Sequence, residues 1–156
     1  MNKKGQFYLV AGLIIISIII GLIAMVNYTK KSQTIIVNAL DAELKIETQK
    51  VLIYDLGHVG ETMREYGVDY SSHLGSEIEL YFIIGEDLNI DAYQYINGIE
   101  TNVSEIDEAS LTIDTINNKI ILDLSGVDYE FVLVSGKNFY YLISQEIKGE
   151  YFVATN

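Results

Sequence analysis

The 156-residue chain contains no cysteine and no proline, two histidines, and few cationic side chains. Without cysteine it has no disulfide framework, no thiolate zinc site and no cysteine nucleophile. Absence of proline beside a hydrophobic content of 49% points to an ordered chain and away from a disordered acidic tail. His58 and His73 stand in no Gly-x-Ser-x-Gly elbow and no His-Glu-x-x-His pattern. His58 beside Gly57 reads as a helix-terminus residue, where a positive charge is favourable. Ten Lys plus Arg face twenty-two Asp plus Glu, a net charge of −12. Lys3, Lys4, Lys30 and Lys31 all fall within the first 31 residues, so removing those four cations from −12 leaves −16 for residues 32–156. A surface this negative repels phosphate backbones, which argues against nucleic acid as a partner.

What is abundant is apolar sequence. Residues 7–26 read FYLVAGLIIISIIIGLIAMV, without a charge. Twenty helical residues cover about 30 Å, the thickness of a hydrocarbon core, so a transmembrane or bundle helix is expected over residues 6–26. Phe7, Tyr8 and Tyr28 sit where interfacial aromatics belong, and the four lysines bracket the run. The stretch is too long for a cleaved secretory signal, and no small-x-small site ends it. Ser17, Gly21 and Ala24 follow i, i+4, i+7 spacing, a small-residue stripe that lets two helix backbones approach closely.

The helical pattern continues past the apolar run. No Gly occurs from 27 to 56, and Ile36, Leu40, Leu44 and Val51 form one amphipathic stripe, with Asp41, Lys45 and Thr48 placed off it and Asp41 set for an i, i+4 pair with Lys45. One helix over about residues 7–54 is predicted, with Gly57 as its first stop and residues 27–34 as an alternative hinge. A second, short helix is expected over about 60–70, with Gly67 as an interruption. After Gly75 the period changes to that of strands. Segments 77–84, 110–116, 119–124, 129–135, 138–144 and 150–154 are rich in Ile, Val, Tyr and Phe. Asn117-Asn118, Ser125-Gly126, Gly136-Lys137 and Lys148-Gly149 mark the turns between them. The predicted fold is α+β: a long N-terminal helix whose second half packs on one C-terminal antiparallel sheet of five or six strands.

Lys3-Lys4-Gly5-Gln6, followed at once by an uncharged twenty-residue stretch, resembles the class III signal peptide of archaeal type IV pilin-like proteins. The long helix with a β-rich head is similar to the pilin plan. The resemblance implies processing by a prepilin peptidase between Gly5 and Gln6 on the cytoplasmic side. It implies a division into a leader (1–5), a transmembrane or filament-core helix (6–26), an amphipathic continuation (27–56) and an acidic head (57–156). Partners would be copies of itself or other pilin-like subunits, with the membrane before assembly and the head outside the cell. The family often has Ser third and Glu fifth in the mature chain; here those positions are Tyr8 and Val10.

Candidate chemistry is sparse. Asp87-Leu88-Asn89-Ile90-Asp91 begins like a calcium loop, but the sixth and twelfth positions are Ala92 and Gly98, which excludes an EF-hand. Asp87, Asn89 and Asp91 remain candidates for a divalent cation, or are the solvated face of an extended segment with Leu88 and Ile90 turned inward. Glu77 with Glu79, and Asp107 with Glu108, read as solvated surface for lack of a partner that would split their protonation. Two sequons occur, and Asn102 of Asn102-Val103-Ser104 is the better glycosylation candidate because Asn27 lies at the end of the apolar run. No set of nucleophile, base and orienting group can be drawn, so neither an enzyme nor a cofactor is expected. The expected function is a structural, pilin-like subunit of an archaeal surface filament, with adhesion as a role for its head. The alternative is a membrane-anchored extracellular binding module that does not polymerise.

Overall fold

The computed structural model describes residues 3–54, 59–147 and 150–156, with side chains over 13–25, 36–52, 60–146 and 151–156. Two helices come first, α1 (Lys3–Tyr54) and α2 (Val59–His73). Eight strands follow: β1 (Ile78–Glu86), β2 (Asn89–Ile96), β3 (Ile99–Asn102), β4 (Ala109–Asp114), β5 (Lys119–Leu124), β6 (Val127–Val132), β7 (Lys137–Ile147) and β8 (Glu150–Thr155). A single 3-10 turn, Val103–Glu105, separates β3 from β4. The chain divides into two compact units, Met1–Ile36 and Val37–Asn156.

In the larger unit β1 is the organising strand. Antiparallel pairing gives a five-stranded sheet in the order β3-β2-β1-β7-β8 and a separate three-stranded sheet, β4-β5-β6. The sequence of β1, IELYFIIGE, is apolar on both faces, and both are covered. Leu80, Phe82 and Ile84 face the helices, packing with Leu44 of α1, Met63 of α2, Tyr95, Tyr141 and Ile143. Tyr81 and Ile83 face the smaller sheet, packing with Ile120, Leu122, Phe131 and Leu142. The unit is therefore three layers, helices on sheet on sheet, with two apolar cores either side of β1.

The expected architecture, a transmembrane or bundle helix on one C-terminal sheet in the pilin-like manner, is overturned in two respects. First, the strands form two sheets. A strand apolar on both faces cannot leave one of them to water, and the 4-5-6 meander folds over to cover it. Second, among the described residues no helix is long and apolar enough to cross a membrane.

Local departures have local causes. Strands β2 and β3 lie outside the six expected strand segments; their hairpin turns through Asn97 and Gly98, both with positive φ, between Ile96 and its partner Ile99. Asn-Gly is the favoured pair for such a two-residue turn, so the signal was present in the sequence. Helix α2 runs unbroken through Gly67, where the Tyr95 ring packs against the helix backbone. Thr48 is not off the stripe of α1 but buried, its hydroxyl donating to Leu44 O at 2.7 Å. Four residues after Leu44 it shares Leu44's face, and the back-bonded hydroxyl makes burial tolerable. Gly57 and the Lys148-Gly149 turn lie outside the described residues.

Candidate assembly surface

A helix whose side chains advance about 100° per residue exposes all its sides only where nothing packs on any of them. Over residues 13–23 of α1 the apolar side chains are exposed all round the helix. Leu13, Ile14, Ile15, Ile16, Ile18 and Ile19 are consecutive apart from Ser17, and each is at least half exposed. Ile20, Leu22, Ile23 and Met25 continue the pattern, up to 69% at Met25. Isolated exposed apolar residues are ordinary, but a contiguous apolar surface on every side of a helix is the mark of an element meant to be covered. Each half-exposed Leu or Ile holds roughly 1 kcal/mol of transfer free energy that burial would release.

Ser17, Gly21 and Ala24 lie on one side of this stretch, and all are exposed. The Ser17 hydroxyl donates back to Leu13 O at 2.9 Å, so its polarity is satisfied within the helix. A Cβ built at Gly21 would meet nothing within 4 Å. Together they leave a shallow notch in an otherwise bulky surface. Gly5 and Gln6 belong to the backbone of α1, but their side chains lie outside the described residues, as does all of His58.

The remaining sequence candidates are held in structural roles. Asp87, in the β1–β2 turn with φ of 54°, accepts from Gly136 N at 2.7 Å and from Ser135 Oγ at 3.3 Å, tying that turn to the β6–β7 loop. Asn89 pairs with Glu86, and Asp91 pairs with Ile84 further along the hairpin. Ile90 turns inward as expected, but Leu88 is exposed at the turn. Among the described residues no cluster of three His, Asp or Glu side chains is arranged to hold a metal ion. Asn102 caps the 3-10 turn, its Oδ1 accepting from Ser104 N at 2.9 Å and from Ser104 Oγ at 2.7 Å. His73 ends α2 with Nδ1 2.8 Å from Asp69 O. Glu108 caps the β5–β6 turn, its backbone carbonyl accepting from Ser125 N at 2.8 Å.

A concavity of about 600 Å³ lies beside the β1–β2 hairpin and the start of α2. It includes Glu61, Arg64, Glu86, Asp91 and Lys137 on its walls. Arg64, the chain's single arginine, went unremarked in the sequence because a lone cation on a predicted helix carries no pattern. Its Nε donates to both oxygens of Glu100 on β3, at 3.1 and 3.0 Å, and its guanidinium lies 4.4 Å over the Tyr93 ring. The Arg64 hydrogen bonds hold the Glu100 carboxyl below the usual carboxylate range. Arg64 thus pins α2 to the sheet edge, and this concavity holds no nucleophile–base pair. Compared with protein-family models, with curated proteins and with solved structures, the chain gives no match.

Proposed function

We propose that this chain is a structural subunit of an archaeal cell-surface filament, assembling with copies of itself through the apolar length of α1 and presenting its acidic β-rich unit outward. The observation that carries the reading is the exposure of residues 13–25 on every side of the helix. Apolar helices of neighbouring subunits would cover that surface, with the Ser17, Gly21 and Ala24 notch allowing close backbone approach. Contact through α1 is favoured over contact through the larger units, since −16 over residues 32–156 makes those units repel one another. The Lys3-Lys4-Gly5-Gln6 sequence supports removal of a five-residue leader by a prepilin peptidase before assembly.

The test is the mass of the mature chain, recovered from cells, combined with negative-stain imaging of surface preparations. A chain starting at Gln6 and present in fibres is the expected result. An intact Met1 and no fibres would overturn the proposal.

A further inference from the structure

The two sheets of the larger unit pack tightly at one end, around Ile83, Ile120, Leu122, Phe131 and Leu142, and splay apart at the other. The splayed end forms a groove of about 260 Å³ whose lining includes no Lys, Arg or His. Its floor comes from the large sheet, where Tyr81 faces Gln94 on β2 and Glu79 faces Ser144 on β7. These groups form a polar patch inside an otherwise apolar interface. The Tyr81 hydroxyl donates to Glu79 Oε2 at 2.6 Å, and Gln94 Nε2 donates to the Tyr81 oxygen at 2.7 Å. Ser144 is only 5% exposed, and its hydroxyl has no hydrogen-bond partner among the described residues although it lines the groove. That hydroxyl opens on the groove, where it can bond a ligand that enters.

The walls are aromatic and the rim is anionic. Tyr129 and Tyr151 stand on the two sides, and Glu108 joins Glu79 at the rim. The carboxylates Glu146, Glu79 and Glu108 together push the Tyr151 phenol upward from its ordinary value, a sign that their fields converge at this mouth. Aromatic faces attract organic cations, an ammonium carries three donors for carboxylate and hydroxyl acceptors, and a guanidinium carries five. The size selects further: about 260 Å³ falls below the roughly 300–1,000 Å³ of drug-sized sites and suits a single alkyl-cation chain.

We infer that the groove between the two sheets binds an organic cation, a primary ammonium or guanidinium group, with Glu79 and Ser144 accepting its donors and Tyr151 and Tyr129 flanking it. The site stands apart from the assembly reading, since every residue in it belongs to the 37–156 unit. The group can arrive on a free polyamine or on a lysine side chain of a neighbouring protein.

Calorimetric titration of the full-length chain with n-butylammonium, with the neutral isostere n-butanol as control, tests the assignment. Binding of the amine at about 10 mM or tighter, without heat from the alcohol, is expected, and Glu79→Gln and Tyr151→Ala should each weaken it about tenfold. Tyr151 is largely exposed, so its variant retains the fold and separates lost binding from lost structure. Equal heats from amine and alcohol, absence of any binding, or affinity unchanged in both variants would overturn the assignment. Spermidine against an acetylated Gly-Lys-Gly amide then separates the sources: tighter spermidine points to a free polyamine, tighter peptide to a protein lysine.

Discussion

The phenol of Tyr141, fully buried on β7, donates to the Asp41 carboxylate of α1 at 2.8 Å and lies 3.2 Å from the Asp41 carbonyl oxygen. Asp41 was expected to pair with Lys45 on its own helix; a phenol from a strand takes its carboxylate instead. This bond fixes the amphipathic half of α1 against the central sheet. It also lets the polar end of a buried tyrosine be satisfied without water.

Tyr141→Phe should therefore destabilise the larger unit by about 1–2 kcal/mol, because a hydrogen bond to a charged acceptor is lost while the ring packing remains. Denaturant unfolding followed by circular dichroism measures the loss. Asp41→Asn, which keeps an acceptor, should cost less. A Tyr141→Phe midpoint equal to wild type would show that water replaces the phenol at no cost.

Gly67 and Gly85 should reject alanine although neither has an unusual backbone angle. A Cβ at Gly67 would stand 2.7–2.9 Å from the Tyr95 ring, and that ring is buried and held 5.1 Å from Phe82. Helix propensity favours Ala by about 1 kcal/mol, but overpacking against a pinned ring costs about 1–3 kcal/mol, so Gly67→Ala should be net destabilising. At Gly85 the clash is with backbone, Asn89 O at 2.1 Å, and Gly85→Ala should cost more than Gly67→Ala. Thermal melts of the two variants rank them.

Alkaline pH should unfold the larger unit. Burial first, then the nearby Glu43 and Glu47 carboxylates, raises the Tyr70 phenol from 10.0 to about 12, and burial also raises Tyr66, Tyr81, Tyr95 and Tyr141. A raised folded-state value means the stabilisation is complete below pH 10, where the unfolded phenols are neutral, and is lost as pH climbs through about 12. Absorbance at a phenolate wavelength should rise together with loss of circular dichroism. Ionisation of every phenol in a chain that stays folded above pH 12 would contradict it. Tyr66 and Tyr70 carry buried hydroxyls without partners among the described residues, so Tyr70→Phe should be neutral or stabilising by up to about 1 kcal/mol.

Assembly should strengthen with salt. The larger units, at −16 each, repel at low ionic strength, and screening shortens the reach of that repulsion to about 10 Å at 0.1 M. Sheared fibres should survive dilution better as salt rises; indifference to salt would count against acidic heads packed side by side. Gly21→Leu should abolish fibres and leave the larger unit's melting unchanged, because a side chain at Gly21 meets nothing within 4 Å of its own chain.

Elements governed by local pattern were legible. Absence of Gly and Pro from residues 27–54 with recurring Leu and Ile marked the second half of α1, the change of period after Gly75 marked the strands, and Ser125-Gly126 marked the β5–β6 turn, whose residues have φ of 53° and 83°. The Asn97-Gly98 turn was equally legible in kind, but Asp87 to Asp91 resembled an ion loop closely enough to hide the β1–β2 hairpin. The candidate groove was not legible: Glu79, Gln94, Glu108 and Ser144 belong to four separate stretches, and each alone looks like solvated surface.

Sequence by itself determined a helical start with an apolar surface, a cysteine-free acidic β-rich remainder and the alternation of several strands, since these follow from side-chain period and charge within a few residues. Tertiary structure alone decided that β1 is covered on both faces by different layers, that Thr48 is buried, that Asp41 answers Tyr141, and that the two sheets splay over Ser144. Those outcomes depend on which distant segments meet, and the apolar area each must hide is settled only when all of them are placed together.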